Sequence, residues 1–428
     1  MRKRLRVVTL GCSKNTVDTE HLLAQLPADA FELVDGDAPV DCLLLNTCGF
    51  IGDAKEESVN AILEAVEAKR RGEAGTVVVF GCLSQRYPDE LRAEIPEVDA
   101  WFGARDLAPL LRHLGVDPGP LVTRRLTEAK GYAYLKISEG CDRRCSYCAI
   151  PLIRGAHRSV PMEDLVAEAE SLVAAGVREL ILIAQDTTYY GLDLYGRRAL
   201  GELIGRLSAI PGLTWIRIHY SYPADFPEDV LEVMARNPKV CKYLDIPLQH
   251  ISDPVLDRMR RHVDGAWTRA LIARLRREVP GVALRTTMIV GHPGETQEAF
   301  EELLDFVREA RFERLGAFMY SEEEGTWGAE HFADDVPPQV KQERLDALMD
   351  LQREISLAYN RSRVGTEVTV MVDGFLPEGG AVARSEFESP EVDGEILVRA
   401  LAPSVRVGDM VRVRIVAAEE YDLVAEAV

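Results

Sequence analysis

The segment Cys141-Asp-Arg-Arg-Cys145-Ser-Tyr147-Cys148 places three thiols on one short loop, directly after a strand-like run from Tyr134 to Gly140. Three thiolates in this arrangement can hold three corners of a four-iron cluster and leave the fourth iron free to bind a substrate. A closed zinc site needs four ligands, usually from paired CxxC or Cys/His elements, and no such partner pair follows nearby. The spacing also differs from the ferredoxin run, which ends in a fourth Cys before Pro. The loop therefore favours an open iron–sulfur cluster, with zinc or a chance spacing as the alternatives.

The composition limits what kind of protein this is. The 428 residues suffice for two or three domains, and 50 Lys and Arg against 70 Asp and Glu give a net charge of -20. This charge argues against holding nucleic acid by general electrostatics and favours a basic partner. No run approaches the ~18 apolar residues of a membrane span, and the basic start leads into a strand, unlike a signal peptide. We therefore expect a cytoplasmic chain without membrane contact, whose eight cysteines stay reduced.

Three apolar runs near the N-terminus each end in one cysteine, at spacings of 36 and 34 residues; they are Val7–Cys12, Leu43–Cys48 and Val77–Cys82. The amphipathic stretch from Ala54 to Arg71 separates two of them, which predicts a small parallel α/β sheet. Ligands of such sheets bind beyond the carboxyl ends of the strands, where all three thiols fall. A lone strand cysteine is usually a core residue, but three equivalent ones favour a metal site. Cys42 and Cys241 are predicted to be core residues.

The middle of the chain alternates strand-like and helix-like stretches. The strand-like runs are Tyr134–Ser138, Glu179–Ala184, Thr214–His219, Tyr243–Pro247, Ala283–Val290 and Leu315–Tyr320. Helical spacing is found in Met162–Ala175, Leu200–Ala209, Ala266–Arg277 and Gln297–Ala310. This pattern predicts a partial (βα)6 barrel, and the carboxyl ends of its strands should carry the active site.

Polar motifs follow several of the predicted strands. They are Gln185-Asp186-Thr187, His219-Tyr220, Gln249-His250 and Gly291-His-Pro-Gly294-Glu295. Asp186 and Gln249 would suit hydroxyl or amine contacts to a small polar ligand. Each motif also has a plain structural interpretation: the last one can be a turn that caps the next helix, and His219 and His250 can be hydrogen-bonded structural residues.

The C-terminal part changes character. Val340–Arg363 predicts a long charged helix, and four short alternating runs follow it: Glu367–Val372, Ala381–Ser385, Gly394–Val398 and Met410–Val416. They predict a small five-stranded barrel. Residues 364–428 contain five Arg, no Lys and thirteen Asp or Glu, a net charge of -8. Such a barrel would repel a phosphate backbone and attract a basic protein, although acidity that serves only solubility is the plain alternative.

Taken in this order, the parts resemble the radical S-adenosylmethionine (SAM) methylthiotransferases, and among them the protein-modifying RimO group. The likeness is carried by the cysteine loop and by Gly11–Asn15, Ala184–Gly191, Tyr243–Ile251 and Tyr320–Thr326. The resemblance implies three domains. They are an N-terminal methylthiotransferase domain (1–120) with an auxiliary cluster, a radical SAM partial barrel plus linker helix (130–362), and a TRAM-like β-barrel (363–428).

The resemblance also implies two [4Fe-4S] clusters and SAM as cofactors. Cys141, Cys145 and Cys148 would bind the cluster whose open iron holds SAM, whereas Cys12, Cys48 and Cys82 would bind a second cluster that carries the sulfur to be delivered. Further cofactor contacts are expected from Tyr147, Gly291, Gly294, Glu295, Gln185, Asp186 and Gln249. The glycine-rich element departs from the family's GxIxGxxE, with Thr287 at its first glycine and Glu295 one place late. No catalytic side chain beyond the cluster ligands is expected.

The implied reaction adds a methylthio group to the β-carbon of an aspartate in small-subunit ribosomal protein number twelve, using two SAM and a sulfur donor. The expected partners are that basic ribosomal protein, or the ribosome, and an electron donor such as a flavodoxin-type protein, with weak or secondary nucleic-acid binding. One alternative is the same chemistry on a modified adenosine of tRNA, which the acidic tail disfavours. The other is a non-catalytic zinc-binding module that docks on ribosomes.

Overall fold

The first sheet of the computed structural model, which describes residues 2–36, 38–128, 130–377 and 379–428, contains the three apolar runs that end in cysteine. It is parallel, in the order β2-β1-β3-β4-β5. The strands are β1 (Lys3–Thr9), β2 (Phe31–Leu33), β3 (Val40–Thr47), β4 (Ala74–Gly81) and β5 (Ala100–Trp101), and the helices are α1 (Ser13–Ala24), α2 (Gly52–Arg70), α3 (Cys82–Arg86), α4 (Pro88–Glu94) and α5 (Leu107–His113). The short edge strands β2 and β5 were not predicted, because three and two residues show no periodicity. Cys42 is a core residue of β3, as predicted.

The second sheet is the predicted partial barrel. Its six parallel strands have the order β13-β12-β11-β10-β9-β6, and a small hairpin (β7, β8) follows the first strand. The strands are β6 (Tyr132–Lys136), β7 (Ser138–Glu139), β8 (Arg158–Ser159), β9 (Glu179–Ile183), β10 (Trp215–Ile218), β11 (Val240–Asp245), β12 (Ala283–Val290) and β13 (Arg314–Met319). The predicted strands agree with these within three residues at each end. Cys241 lies in the core, as predicted.

Helices cover the outer face of the partial barrel, where Leu135, Leu182 and Ile216 belong to the largest apolar core. The helices that contribute to this core are α7 (Met162–Ala174), α9 (Leu200–Ser208), α10 (Glu228–Arg236), α12 (Gly265–Glu278), α13 (Gln297–Ala310) and α15 (Pro338–Arg363). The remaining helices of this part are short: α6 (Ile150–Arg154), α8 (Leu192–Tyr195), α11 (Asp253–Arg258), α14 (Trp327–His331) and a one-turn 3-10 helix at Thr187–Tyr189. The described part of the chain holds no helix long and apolar enough to cross a bilayer.

The first helix of the N-terminal unit packs on the inner face of the partial barrel. Val17 of α1 is fully buried against Tyr134, Ile181 and other strand side chains. A second attachment lies after β13, where Glu323 accepts from Lys55 Nζ at 2.8 Å and from Arg86 Nη1 at 2.7 Å. The N-terminal sheet is thereby held against the open side of the barrel.

The C-terminal strands form the predicted five-stranded closed barrel, in the order β14-β15-β16-β18-β17. They are β14 (Glu367–Phe375), β15 (Ala381–Arg384), β16 (Ile396–Val398), β17 (Met410–Ala418) and β18 (Leu423–Ala427). Four of these strands match the predicted runs, and β18 was not predicted as a run because it is a short stretch near residue 428. Together with the other two sheets, this closed barrel confirms the predicted fold class.

The segment 385–393, between β15 and β16, packs into the inner face of the partial barrel. Glu388 is paired with Arg314 at 3.0 Å and with Arg363, and Asp393 accepts from Tyr243 Oη at 2.7 Å. Glu391 accepts from Tyr134 Oη at 2.9 Å. Four of the thirteen acidic residues of the tail (Glu386, Glu388, Glu391 and Asp393) therefore serve this contact. Without them and the buried Arg384, the tail still carries four Arg and nine acidic residues.

Candidate active site

The cysteine loop is held in place by backbone hydrogen bonds. Cys141 N–H donates to Gly155 O at 3.0 Å, and Ser146 N–H donates to Met259 O at 3.0 Å. Ser146 O accepts from Gly328 N–H at 2.7 Å. The loop is thus tied to three different segments without the use of its thiols, and Cys141, Cys145 and Cys148 (the loop trio) all stay free.

Burial and one arginine set the electrostatics of the loop trio. Burial raises the pKa of Cys141 and of Cys148 to about 12, so metal binding must displace their protons. Arg261 Nη1 lies 3.5 Å from Cys145 Sγ and 3.2 Å from Tyr147 Oη. A buried guanidinium at this distance offsets the negative charge that three thiolates would bring. The donor set therefore fits a sulfur-ligated cluster.

The other predicted trio, Cys12, Cys48 and Cys82 (the strand-end trio), lies at the carboxyl ends of β1, β3 and β4. Cys48 and Cys12 are close neighbours: a Cβ built on Gly11, whose φ is +90°, would lie 2.7 Å from Cys48 Cβ. Burial raises the pKa of Cys82 to about 11, with nearby Cys12 and Cys48 as smaller causes. The three strands therefore bring the three thiols together at one edge of the sheet.

Neither trio resembles the ligand set of a single ion. Among the residues that the structure describes, no group of three or more His, Cys, Asp or Glu side chains could hold one metal ion.

Arg154 links the two trios. It follows the cysteine loop on α6, is 3% exposed, and its Nη2 donates to Cys82 Sγ at 3.2 Å and to Asn15 Oδ1 at 2.6 Å. Its Nη1 pairs with Asp18 Oδ2 at 2.7 Å and Glu139 Oε2 at 3.1 Å. Since Glu139 precedes the loop by two residues, one buried guanidinium spans from the strand-end trio to the start of the loop.

Gln185, Asp186 and Gln249 lie at the barrel rim, as predicted from their positions after β9 and β11. Asp186 accepts from Arg143 Nε of the cysteine loop at 3.0 Å, and Gln185 Nε2 donates to Glu139 Oε1 at 2.7 Å. The Oε1 atoms of Gln185 and Gln249 are sealed from solvent and have no hydrogen-bond partner among the described residues. Contact of these residues with SAM stays a prediction.

The structure uses Gly291, Gly294 and Glu295 to close a turn. Glu295 accepts from Gly291 N–H at 2.8 Å and pairs with Arg344 at 2.8 Å. A Cβ on Gly294 would lie 2.6 Å from Arg258 Nε, so a side chain already occupies that space. This geometry matches the plain interpretation, a turn before a capped helix. Contact of these three residues with SAM is still a prediction.

The two rim histidines also have structural partners. His219 Nε2 lies 2.8 Å from Ser389 Oγ of the tail, and burial lowers the pKa of His219 to about 3. His250 is fully buried, and its Nδ1 accepts from Ser252 N–H at 3.0 Å. We therefore assign both imidazoles to packing and loop geometry.

Sequence reasoning missed three residues of this site: Arg154, Arg261 and Lys14. Lys14 could have been found, because it belongs to the segment Gly11–Asn15 that carries the family likeness. Its ammonium group lies 3.1 Å from the ring centroid of Tyr220 on the barrel rim. The two arginines carry no signal of their own in a chain with 50 basic residues.

Comparison with known proteins covers all three parts of the chain. Residues 135–307 match the Radical SAM superfamily, residues 4–103 match Uncharacterized protein family UPF0004, and residues 364–428 match the TRAM domain. Among solved structures, the radical S-adenosylmethionine methyltransferase TsrM from Kitasatospora setae has a TM-score of 0.59 at 18% identity, over 77% of each chain. The cobalamin-dependent S-adenosylmethionine radical enzyme OxsB has a TM-score of 0.53 at 13% identity, over 83% of this chain and 56% of OxsB. These two share the fold.

Closer relatives match from end to end. Ribosomal protein uS12 methylthiotransferase RimO of Porphyromonas gingivalis is 53% identical over 100% of this chain and 99% of that protein. The proteins of the same name from Christiangramia forsetii and Bacteroides fragilis are 52% and 50% identical, over 99% and 100% of this chain and 94% and 100% of their own lengths. The chain therefore belongs to the RimO family of radical SAM methylthiotransferases.

Proposed function

We propose that this enzyme adds a methylthio group to the β-carbon of an aspartate in ribosomal protein uS12. The main structural support is that Arg154 joins the strand-end trio to the start of the cysteine loop within one buried hydrogen-bond network. Two thiol trios whose surroundings share one buried guanidinium suit a reaction that needs two metal sites. The name of the relatives supplies the substrate, and the acidic tail suits a basic ribosomal protein.

Family membership brings SAM and one [4Fe-4S] cluster, which the loop trio would hold. We assign a second [4Fe-4S] cluster to the strand-end trio, because three free thiols converge there and Arg154 can offset their charge. When bound, these groups supply the one-electron chemistry that replaces a strongly held hydrogen atom on carbon by a methylthio group, which side-chain acids and bases cannot do. Two SAM and a sulfur donor complete the reaction.

The side chains of this chain would hold and orient the cofactors and exclude water from them. Arg261 and Arg154 place buried positive charge beside Cys145 and Cys82, respectively. Gln185 and Gln249 lie at the rim, and we assign them to the surroundings of SAM. Helix α1 packs its Val17 against the inner face of the partial barrel and thereby places Cys12, just before the helix, near the barrel. No side-chain general base is required.

We also propose an external one-electron donor, such as a flavodoxin-type protein, and a cytoplasmic location, where ribosomal proteins are made and assembled. The zinc-binding docking module loses its support, because the chain belongs to a family of transferases.

The test is to incubate anaerobically reconstituted enzyme with SAM, sulfide and a reductant, and to offer uS12 and tRNA separately. We expect the mass of uS12 to increase by one methylthio group in place of hydrogen, at an aspartate. A mass increase on tRNA with none on uS12 would replace this proposal by the tRNA alternative.

A further inference from the structure

We propose that Lys14 binds the carboxylate of the substrate aspartate and thereby selects an acidic side chain as the target. This inference rests on the proposed function and names one residue of its substrate site. Lys14 is 8% exposed and lies in the first turn of α1, two residues after Cys12. It faces the barrel rim, on the side where the cysteine loop also opens.

Among the described residues, no carboxylate lies within ion-pair distance of the Lys14 ammonium group. Its ammonium group makes no ion pair and donates no hydrogen bond to any residue that the structure describes, and its close neighbour is the face of Tyr220. By contrast Lys341, which is also buried, pairs with Asp334 and donates to Tyr320 O at 3.2 Å. Burying an ammonium group costs free energy unless an anion pairs with it, and an aromatic face compensates only part of that cost.

The ammonium group of Lys14 remains reachable. Lys14 Nζ is not sealed from solvent, whereas the unpaired atoms Gln185 Oε1 and Gln249 Oε1 are. An anion can therefore reach the Lys14 ammonium group. Tyr220, on which the lysine rests, is itself fixed: its φ is +57°, and its N–H donates to Asp245 Oδ2 at 3.0 Å.

The chemistry of the substrate favours this position. In aspartate the carboxylate is bonded directly to the β-carbon, so a cation that holds the carboxylate also fixes the reacting carbon. Lys14 is close to Cys12 in sequence and to the barrel rim in space, which would hold that carbon between the two trios. A neutral base offers no anion at its reacting carbon and would leave the ammonium group unpaired, which disfavours it.

The test is a double-mutant cycle, in which variants of the enzyme are combined with two forms of the substrate. Wild-type enzyme, Lys14→Met and Lys55→Met would be reconstituted anaerobically, and each would be titrated with uS12 and with uS12 whose target aspartate is changed to Asn. We expect Lys14→Met to weaken binding of uS12 by about 10- to 100-fold and to leave binding of the Asn form unchanged. Lys55 already pairs with Glu323, so Lys55→Met should keep the same preference for uS12 over its Asn form that wild-type enzyme shows.

Iron content and SAM affinity of Lys14→Met should equal those of wild type. Equal weakening for both forms of uS12, loss of iron, or weaker SAM binding would overturn the inference, because Lys14 would then serve folding, the cluster or SAM. If wild-type enzyme modifies uS12 and Lys14→Met binds it normally, only this inference fails. If wild-type enzyme leaves uS12 unmodified, the proposed function fails and this inference fails with it.

Discussion

The loop trio comes from eight consecutive residues, whereas the strand-end trio comes from three strands whose cysteines are 36 and 34 residues apart. The loop trio has its spacing set by the sequence, and backbone hydrogen bonds tie the loop to Gly155, Met259 and Gly328. The second site exists only when the N-terminal sheet has its native register, in which Asn46 and Thr47 of β3 pair with Phe80 and Gly81 of β4. Damage to the N-terminal sheet should therefore affect the strand-end site before the loop site.

The largest effect should come from exchanging single thiols on one strand. Cys48→Ala should abolish methylthio transfer, because it removes a ligand of the strand-end site. Cys42→Ala, on the same strand but in the core, should retain full iron content and activity and lose ~1 kcal/mol of stability. Product formation by mass spectrometry, with urea unfolding of both variants, would check this. An inactive Cys42→Ala enzyme that is folded and holds full iron would contradict the assignment.

These thiols also show how much the sequence alone can predict. The cysteine spacing on the loop and the repeated strand ends are local patterns, so the six thiols and the three sheets could be predicted. Arg154 and Arg261 could not, because they reach Cys82 and Cys145 across 72 and 116 residues, and only tertiary packing joins them.

The segment 385–393 shows a related limit of sequence patterns. A run that holds four acidic residues is usually a solvated surface, but here much of it is turned inward against the arginines of the barrel. The net charge of the tail therefore includes acidic groups that are already paired within the chain. Gly291, Gly294 and Glu295 show the opposite limit. Their motif can be recognised in the sequence, but in the structure its hydrogen bonds close a turn.

The next largest effect should distinguish the role of Arg154 from that of Arg261. Asp18 and Glu139 each pair with two cations, Arg154 and Lys136. Arg154→Gln removes one of these cations, so we expect the free energy of unfolding to fall by about 3–5 kcal/mol. It should also lower iron content at the strand-end site while SAM cleavage by the loop site persists. Arg261→Gln should do the reverse and impair SAM cleavage first. Identical losses in both variants would argue that the two sites are not independent.

Docking of the tail should affect stability but neither metal site. Although burial opposes it, Arg363 and Arg314 lower the pKa of Glu388 from 4.5 to about 2. The stabilisation by this carboxylate is complete above pH 4.5 and is lost as the pH falls from 4.5 toward 2. Glu388→Gln should cost about 3–5 kcal/mol at neutral pH, with normal iron content. The gap to wild type in urea unfolding should narrow below pH 4.5, and a gap independent of pH would contradict the ion pair.

The smallest effects should come from two glycines with positive φ, one beside each trio. Gly11→Ala should cost about 1–2 kcal/mol in backbone strain and push Cys48 aside, so iron at the strand-end site should fall. Gly140→Ala would bring a Cβ against Ala156 O and strain the start of the cysteine loop. We expect its iron loss to be confined to the loop site. Urea unfolding with iron analysis would measure both, and loss of the opposite iron in either variant would contradict the comparison.

The most direct test of two separate sites is the iron and sulfide content of three reconstituted proteins: wild type, the Cys12/Cys48/Cys82→Ala variant and the Cys141/Cys145/Cys148→Ala variant. Two four-iron clusters predict about eight irons in wild type and about four in each variant. Full iron in the strand-end variant, or zinc in place of iron in wild type, would contradict the account.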